Sequence, residues 1–296
     1  MTKNLSPPPI SSHPTSTKIT SIGSESAQIR ILYIGPTSNH QANVLRAKHF
    51  TSRISSDVSI DFYNAPKAAP RSIDGTRDGV ISTALILQDL GLGDAQLKKD
   101  DHNTTNSIGV GSESDQGIDL NGYGALIVGC FSNHPLVPAL RESLPATPRV
   151  PPIISLMEVA IFFALQLGPT FGIVTTGRQW EPIFDEAVRA LGISPSRYAG
   201  TRGCGHNAAS VGDSVDGAVQ PVIEAAIELV KNGASVIVLG CGAMITMRKA
   251  IEDAVSASPE IQARGRVHVP VIEGVQGAID QAIAFARMKV SSASSR

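Results

Sequence analysis

Gly124-Ala125-Leu126-Ile127-Val128-Gly129-Cys130-Phe131-Ser132 has a counterpart far along the chain in Ser235-Val236-Ile237-Val238-Leu239-Gly240-Cys241-Gly242-Ala243. Laid together, the two strings put apolar on apolar and Gly-Cys on Gly-Cys. A short continuous apolar run of this kind marks a strand buried on both faces of a parallel sheet. A weaker echo pairs Ile29–Ser38 (IRILYIGPTS) with Thr170–Gly177 (TFGIVTTG), each a strand running into a turn of small and hydroxylated residues. Two strands repeated with their turns point to a repeated half.

Working outward, Val58–Tyr63, Phe171–Val174, the region of Tyr198 and Val269–Ile272 read as further strands. Between the strands, Ala42–Thr51, Gly79–Leu90, Glu158–Leu167, Glu181–Leu191, Val215–Asn232, Met247–Ser256 and Val275–Met288 have helical length and spacing. Alternating strands and helices give an α/β fold: two similar parallel-sheet halves related by a pseudo-twofold axis, with the active site in the cleft between them. The expected division is a disordered tail over residues 1–27 and a first half over 28–152 completed by 270–290. The second half covers 153–269. A polar Gly/Asp/Asn/Ser-rich stretch at about 91–121 reads as a disordered surface insertion without chemistry.

The composition narrows the classes of function. With 296 residues, 42% hydrophobic, 17% charged and a formal net charge of −1, the chain can bury a large core and carries no strong electrostatic field. Nucleic acid is therefore not an expected partner. No apolar run reaches the roughly 18–20 residues that cross a bilayer, so no membrane partner is expected either. Three widely spaced cysteines do not form a disulfide framework, and no targeting pattern is evident, so a cytoplasmic location is expected. The partner left is a small-molecule substrate.

Each Gly-Cys follows a buried strand and precedes a helical stretch, where backbone N–H groups and a helix dipole would favour the thiolate. Two such thiols on opposite sides of one carbon could invert it, one removing a proton and the other returning one to the opposite face. Catalytic candidates are therefore Cys130 and Cys241. The developing enolate needs donors, for which the amides at Phe131-Ser132 and Gly242-Ala243 and the turns at Thr37-Ser38 and Thr175-Thr176-Gly177 are the substrate-binding candidates. A cysteine ending an apolar strand is also a common core filler, and matched repetition is what sets these two apart.

Other residues carry less. Cys204, in Arg202-Gly203-Cys204-Gly205-His206, has no counterpart and reads as incidental. Pairings such as Cys130 with His134 lack the spacing of zinc sites, so no metal is expected. No phosphate loop or dinucleotide fingerprint occurs, so no cofactor is expected. Glu158 and Trp180-Glu181-Pro182 read as helix starts, and His134 as a solvated loop histidine. Apart from Arg178, few basic residues lie near these motifs.

The strings GALIVGCFSNHPLV, FGIVTTGRQWEP, VIVLGCGAM and VPVIEGVQGAI together resemble the aspartate/glutamate/hydantoin racemase superfamily, in its hydantoin or allantoin racemase branch with fungal relatives. The resemblance runs from about Ile29 to Met288 without the polar insertion. It implies two α/β halves with the active site between them, cysteines from both halves as acid and base at Cys130 and Cys241, no cofactor, and a homo-oligomer. Retention of both cysteines sets the chain apart from the related arylmalonate decarboxylases. The implied substrate is a 5-substituted hydantoin or allantoin; the alternatives are an acidic amino acid, or a weakly catalytic binding protein of the same fold. Two departures stand out. The family's Asn-Pro-Asn-Ser/Thr turn is here Gly35-Pro36-Thr37-Ser38, and its Gly-Cys-Ala-Gly-Met is here Gly240-Cys241-Gly242-Ala243-Met244.

Overall fold

The computed structural model describes residues 18–93, 118–144, 150–213, 215–265 and 268–292. Its first sheet contains β1 (Ile19–Ile22), β2 (Ile29–Gly35), β3 (Val58–Asn64), β4 (Ala125–Val128) and β5 (Ile153–Ser155), in the order β1-β3-β2-β4-β5. All pairings are parallel except that of β1 with β3. The second sheet contains β6 (Phe171–Thr175), β7 (Tyr198–Gly203), β8 (Val236–Leu239) and β9 (Val271–Glu273), all parallel, in the order β7-β6-β8-β9. Removing β1 leaves two sheets of the same topology, in which β2 answers to β6 and β4 to β8. These are the pairs that the repeated strings single out.

The helices are α1 (His40–Phe50), α2 (Thr76–Asp89), α3 (Leu136–Ser143), α4 (Leu156–Leu167) and α5 (Trp180–Ala190), followed by α6 (Ala208–Asp213), α7 (Val215–Lys231), α8 (Arg248–Ala257), α9 (Pro259–Gln262) and α10 (Gly274–Met288). Alternation of side chains along each strand divides the interior into layers. Ile31, Tyr33, Ala125 and Ile127 join Phe171, Ile173, Val236 and Val238 in one core shared by both sheets, with α4 and α10 inside it. The opposite faces, including Leu32, Ile34, Leu126 and Val128 in the first sheet and Val174, Ile237 and Leu239 in the second, fill two outer cores. Each fully buried aliphatic side chain contributes about 1.5–3 kcal/mol, so strands apolar on both faces are held in the middle of the molecule.

Three boundaries differ from the sequence reading. Within the tail expected over 1–27, Ile19-Thr20-Ser21-Ile22 forms β1, completing the edge beside β3, with Ser21 Oγ donating to Asp61 at 2.6 Å. The borders expected at 152 and 270 each fall one strand away: β5 belongs to the first sheet, and β9 to the second. What changes sides is the helix after each strand. α10 packs on β2 and β4 of the first sheet, α4 reaches β8 and β9 of the second, and the two helices pack on each other. Most of the expected insertion lies outside the described residues; its described end includes a 3-10 turn at Leu120–Gly122. Among the described residues no helix is long and apolar enough to cross a membrane.

Candidate active site

β4 and β8 end in the same way. Gly129 N–H donates to Ile34 O at 2.8 Å and Gly240 N–H to Val174 O at 2.6 Å, each extending the ladder by one residue before the chain turns at the cysteine. A Cβ at Gly129 would stand 2.4 Å from the Tyr33 ring, so only glycine lets the strand end close over that tyrosine. Cys130 and Cys241 then emerge on the wall of one cavity of about 500 Å³ between the halves. Phe131, Phe184 and Trp180 brace it from the two sides, with ring centroids 5.4 and 5.1 Å apart.

Of the expected substrate-binding residues, Thr37, Phe131, Thr176, Gly242 and Ala243 line this cavity with both cysteines. Ser38, Ser132, Thr175 and Gly177 do not, because each is used one layer behind the wall. Ser38 N–H donates to Pro70 O at 3.0 Å, and Thr175 Oγ1 to Gly240 O at 3.3 Å; Gly177 O accepts from Trp180 N–H at 3.1 Å. Ser132 Oγ donates to Cys130 Sγ at 3.3 Å. Of the four amides expected as donors after the cysteines, two are also engaged, Ser132 N–H by Cys130 O and Ala243 N–H by Cys241 Sγ.

The expected thiolate-favouring surroundings are not what the thiols meet. Burial pushes Cys130 up to about 12; the Ser132 hydroxyl acts against it, the neighbouring Cys241 with it, and Arg46 against it. Cys241 is raised by the same cause, opposed by the Ala243 N–H and by Arg46. The reason lies in local structure: the five residues Phe131 to Pro135 separate Cys130 from α3, and the donor to its sulfur is the Ser132 hydroxyl. Cys241, by contrast, is the N-cap of a 3-10 helix over Gly242–Met247.

Several single readings change. His134 is 1% exposed, not solvated, with Nδ1 accepting from Leu136 N–H at 3.2 Å; burial lowers its pKa to about 4. Trp180 both begins α5 and lines the cavity. Arg178 is exposed and off the wall, and the cations that line the cavity are instead Arg46 and Lys48 from α1 and Arg71 from the loop before α2. Among the described residues no Asp or Glu lines it. Nothing in the spacing of α1 distinguishes Arg46 from a solvated helix face, so reading by motif passes over it.

Two like α/β halves, each presenting a cysteine from the end of an equivalent strand, β4 or β8, to a shared cavity, define the architecture of this protein. The chain matches the model of the Asp/Glu/Hydantoin racemase family over residues 31–282, and it belongs to that family, making it an isomerase by class. Its fold is that of the allantoin racemases of Pseudomonas fluorescens (TM-score 0.67, 20% identity, 90% of this chain and 95% of that one) and Klebsiella pneumoniae (TM-score 0.66, 21% identity, 90% of each). A Schizosaccharomyces pombe protein described as uncharacterized is 27% identical over 264 residues, 88% of this chain and 94% of that protein.

Proposed function

We propose that the protein racemises a 5-substituted hydantoin or allantoin, with Cys130 and Cys241 as the acid and base. The observation that carries this reading is the arrival of both cysteines, from equivalent strands of two sheets, on the wall of one cavity. A ring carbon flanked by a carbonyl has an acidic C–H, and two thiols on opposite faces invert it without a cofactor. Cys241, whose sulfur accepts from Ala243 N–H at 3.5 Å, is the thiol that gives up its proton to become the base; Cys130 keeps its proton and is the acid. The thiolate takes the proton and the thiol returns one to the other face, so the two exchange states with each turnover. Phe131 and Gly242 N–H groups are the donors for the enolate oxygen, and Thr37 and Thr176 hold the ring.

The test is optical-rotation decay of L- and D-5-substituted hydantoins and of allantoin in D2O, with deuterium entry at C5 followed by NMR. Decay above the spontaneous rate with deuterium incorporation supports the reading. Rotation that follows the spontaneous rate for every ring sinks it.

A further inference from the structure

Arg46 occupies an unusual position. Its guanidinium lies 5.5 Å above the Tyr33 ring centroid, and Nη1 donates to Asn43 Oδ1 at 3.0 Å. Its Nε is buried and has no hydrogen-bond partner among the described residues. Arg46 acts electrostatically on both thiols, lowering each. A buried guanidinium N–H without an acceptor costs free energy until an acceptor arrives, and Nε with Nη2 forms the planar edge that takes two oxygens of one carboxylate.

The two departures from the family's motifs both surround this side chain. Asn43, which holds Arg46, is itself fixed by donating to Tyr63 O at 2.8 Å and Asn64 Oδ1 at 2.9 Å. A Cβ at Gly35 would stand 2.5 Å from Asn43 Nδ2, so the side chain the family places there would displace this carboxamide. A Cβ at Gly242 would stand 3.3 Å from Arg46 Nη2, crowding the guanidinium on its unpaired edge. Glycine at both positions makes room for one Asn43–Arg46 unit.

We infer that Arg46, held by Asn43, is the specificity-determining residue of the cavity and binds a carboxylate carried on the substituent of the substrate's ring. This rests on the ring-racemase reading above. Among the described residues that line the cavity the cations are Arg46, Lys48 and Arg71 and no carboxylate stands with them, a balance of charge that suits an acid-bearing substituent.

The experiment is calorimetric binding to the inactive Cys130→Ser/Cys241→Ser protein, which needs no turnover. The probes are 5-(carboxymethyl)hydantoin and its neutral amide, with succinate and succinamide as ringless controls. The acid is expected to bind more tightly than the amide. Arg46→Gln should weaken the acid by about 10- to 100-fold and change the amide less than about threefold, the range of a charged hydrogen bond. Gly242→Ala, with native circular dichroism, should produce the same selective loss in smaller degree, which keeps the test decisive where Arg46→Gln does not fold. Equal binding of acid and amide, or equal losses of both, overturns the inference. If neither ring binds, the ring reading fails by itself; succinate that still depends on Arg46 then upholds carboxylate recognition, and succinate indifferent to Arg46→Gln overturns it.

Discussion

Gly129-Cys130 and Gly240-Cys241 end equivalent strands with the same two residues, yet the chain beyond them treats the sulfurs differently. After Cys241 the backbone turns at once into a 3-10 helix and gives the sulfur an N–H. After Cys130 it runs through a loop, and the sulfur receives the Ser132 hydroxyl. Both thiols are raised by burial, Cys130 to about 12. Repetition in sequence thus brings the two thiols to the cavity, while the turn that follows each Gly-Cys gives its sulfur a different hydrogen-bond donor. An acid and a base made from the same side chain need such asymmetry, because only one proton is to be held between them.

The comparison can be broken most directly at the sulfurs. Cys130→Ser and Cys241→Ser are each expected to lower kcat by about 10²–10⁴-fold, the range for loss of a positioned acid or base, measured by polarimetry with both enantiomers. Full activity in either variant removes the two-thiol mechanism. The pH profile comes next. Since both thiols are pushed upward, the thiolate is scarce near neutrality, and kcat/KM is expected to rise about tenfold per unit as the pH climbs from about 7 toward 9. A flat profile over that range would mean that a thiolate is already formed.

Alkylation sharpens the contrast. With limiting iodoacetamide, Cys241 is expected to react faster than Cys130, because a backbone N–H as well as Arg46 opposes the upward push of burial there, and peptide mass spectrometry reads the ratio. Faster labelling of Cys130 reverses the assignment of base and acid. The smallest effect belongs to Ser132→Ala, which removes the hydroxyl on Cys130 and should slow turnover about fivefold, the equivalent of one neutral hydrogen bond. Kinetics unchanged for both enantiomers would show that this hydroxyl does not tune the sulfur.

Seven of the strands and the paired cysteines are legible because apolar runs and Gly-Cys endings are local features of the chain. β1 and β5 are not: Ile19–Ile22 stands in a Ser-, Thr- and Pro-rich context beside β3, and Ile153–Ser155 is three residues paired with β4. Nor is Arg46, whose placement depends on Asn43 one helical turn away and on space left by Gly35 on the strand before α1 and by Gly242 in the other half. The thiol environments are hidden for a related reason. A helix that follows a strand in sequence need not touch the residue ending it, and Asn133-His134-Pro135 stands between Cys130 and α3.

The crossing of α4 and α10 turns two look-alike halves into a clasp. Each sheet is roofed in part by a helix whose own strand lies in the other, and the layer between the sheets belongs to neither. The repeat written in the strands is therefore not a module that can be truncated, transplanted or exchanged singly. A graft that borrowed one half from a relative would leave its closing helix on a foreign sheet, and the gap across which the two sulfurs work would shift with it.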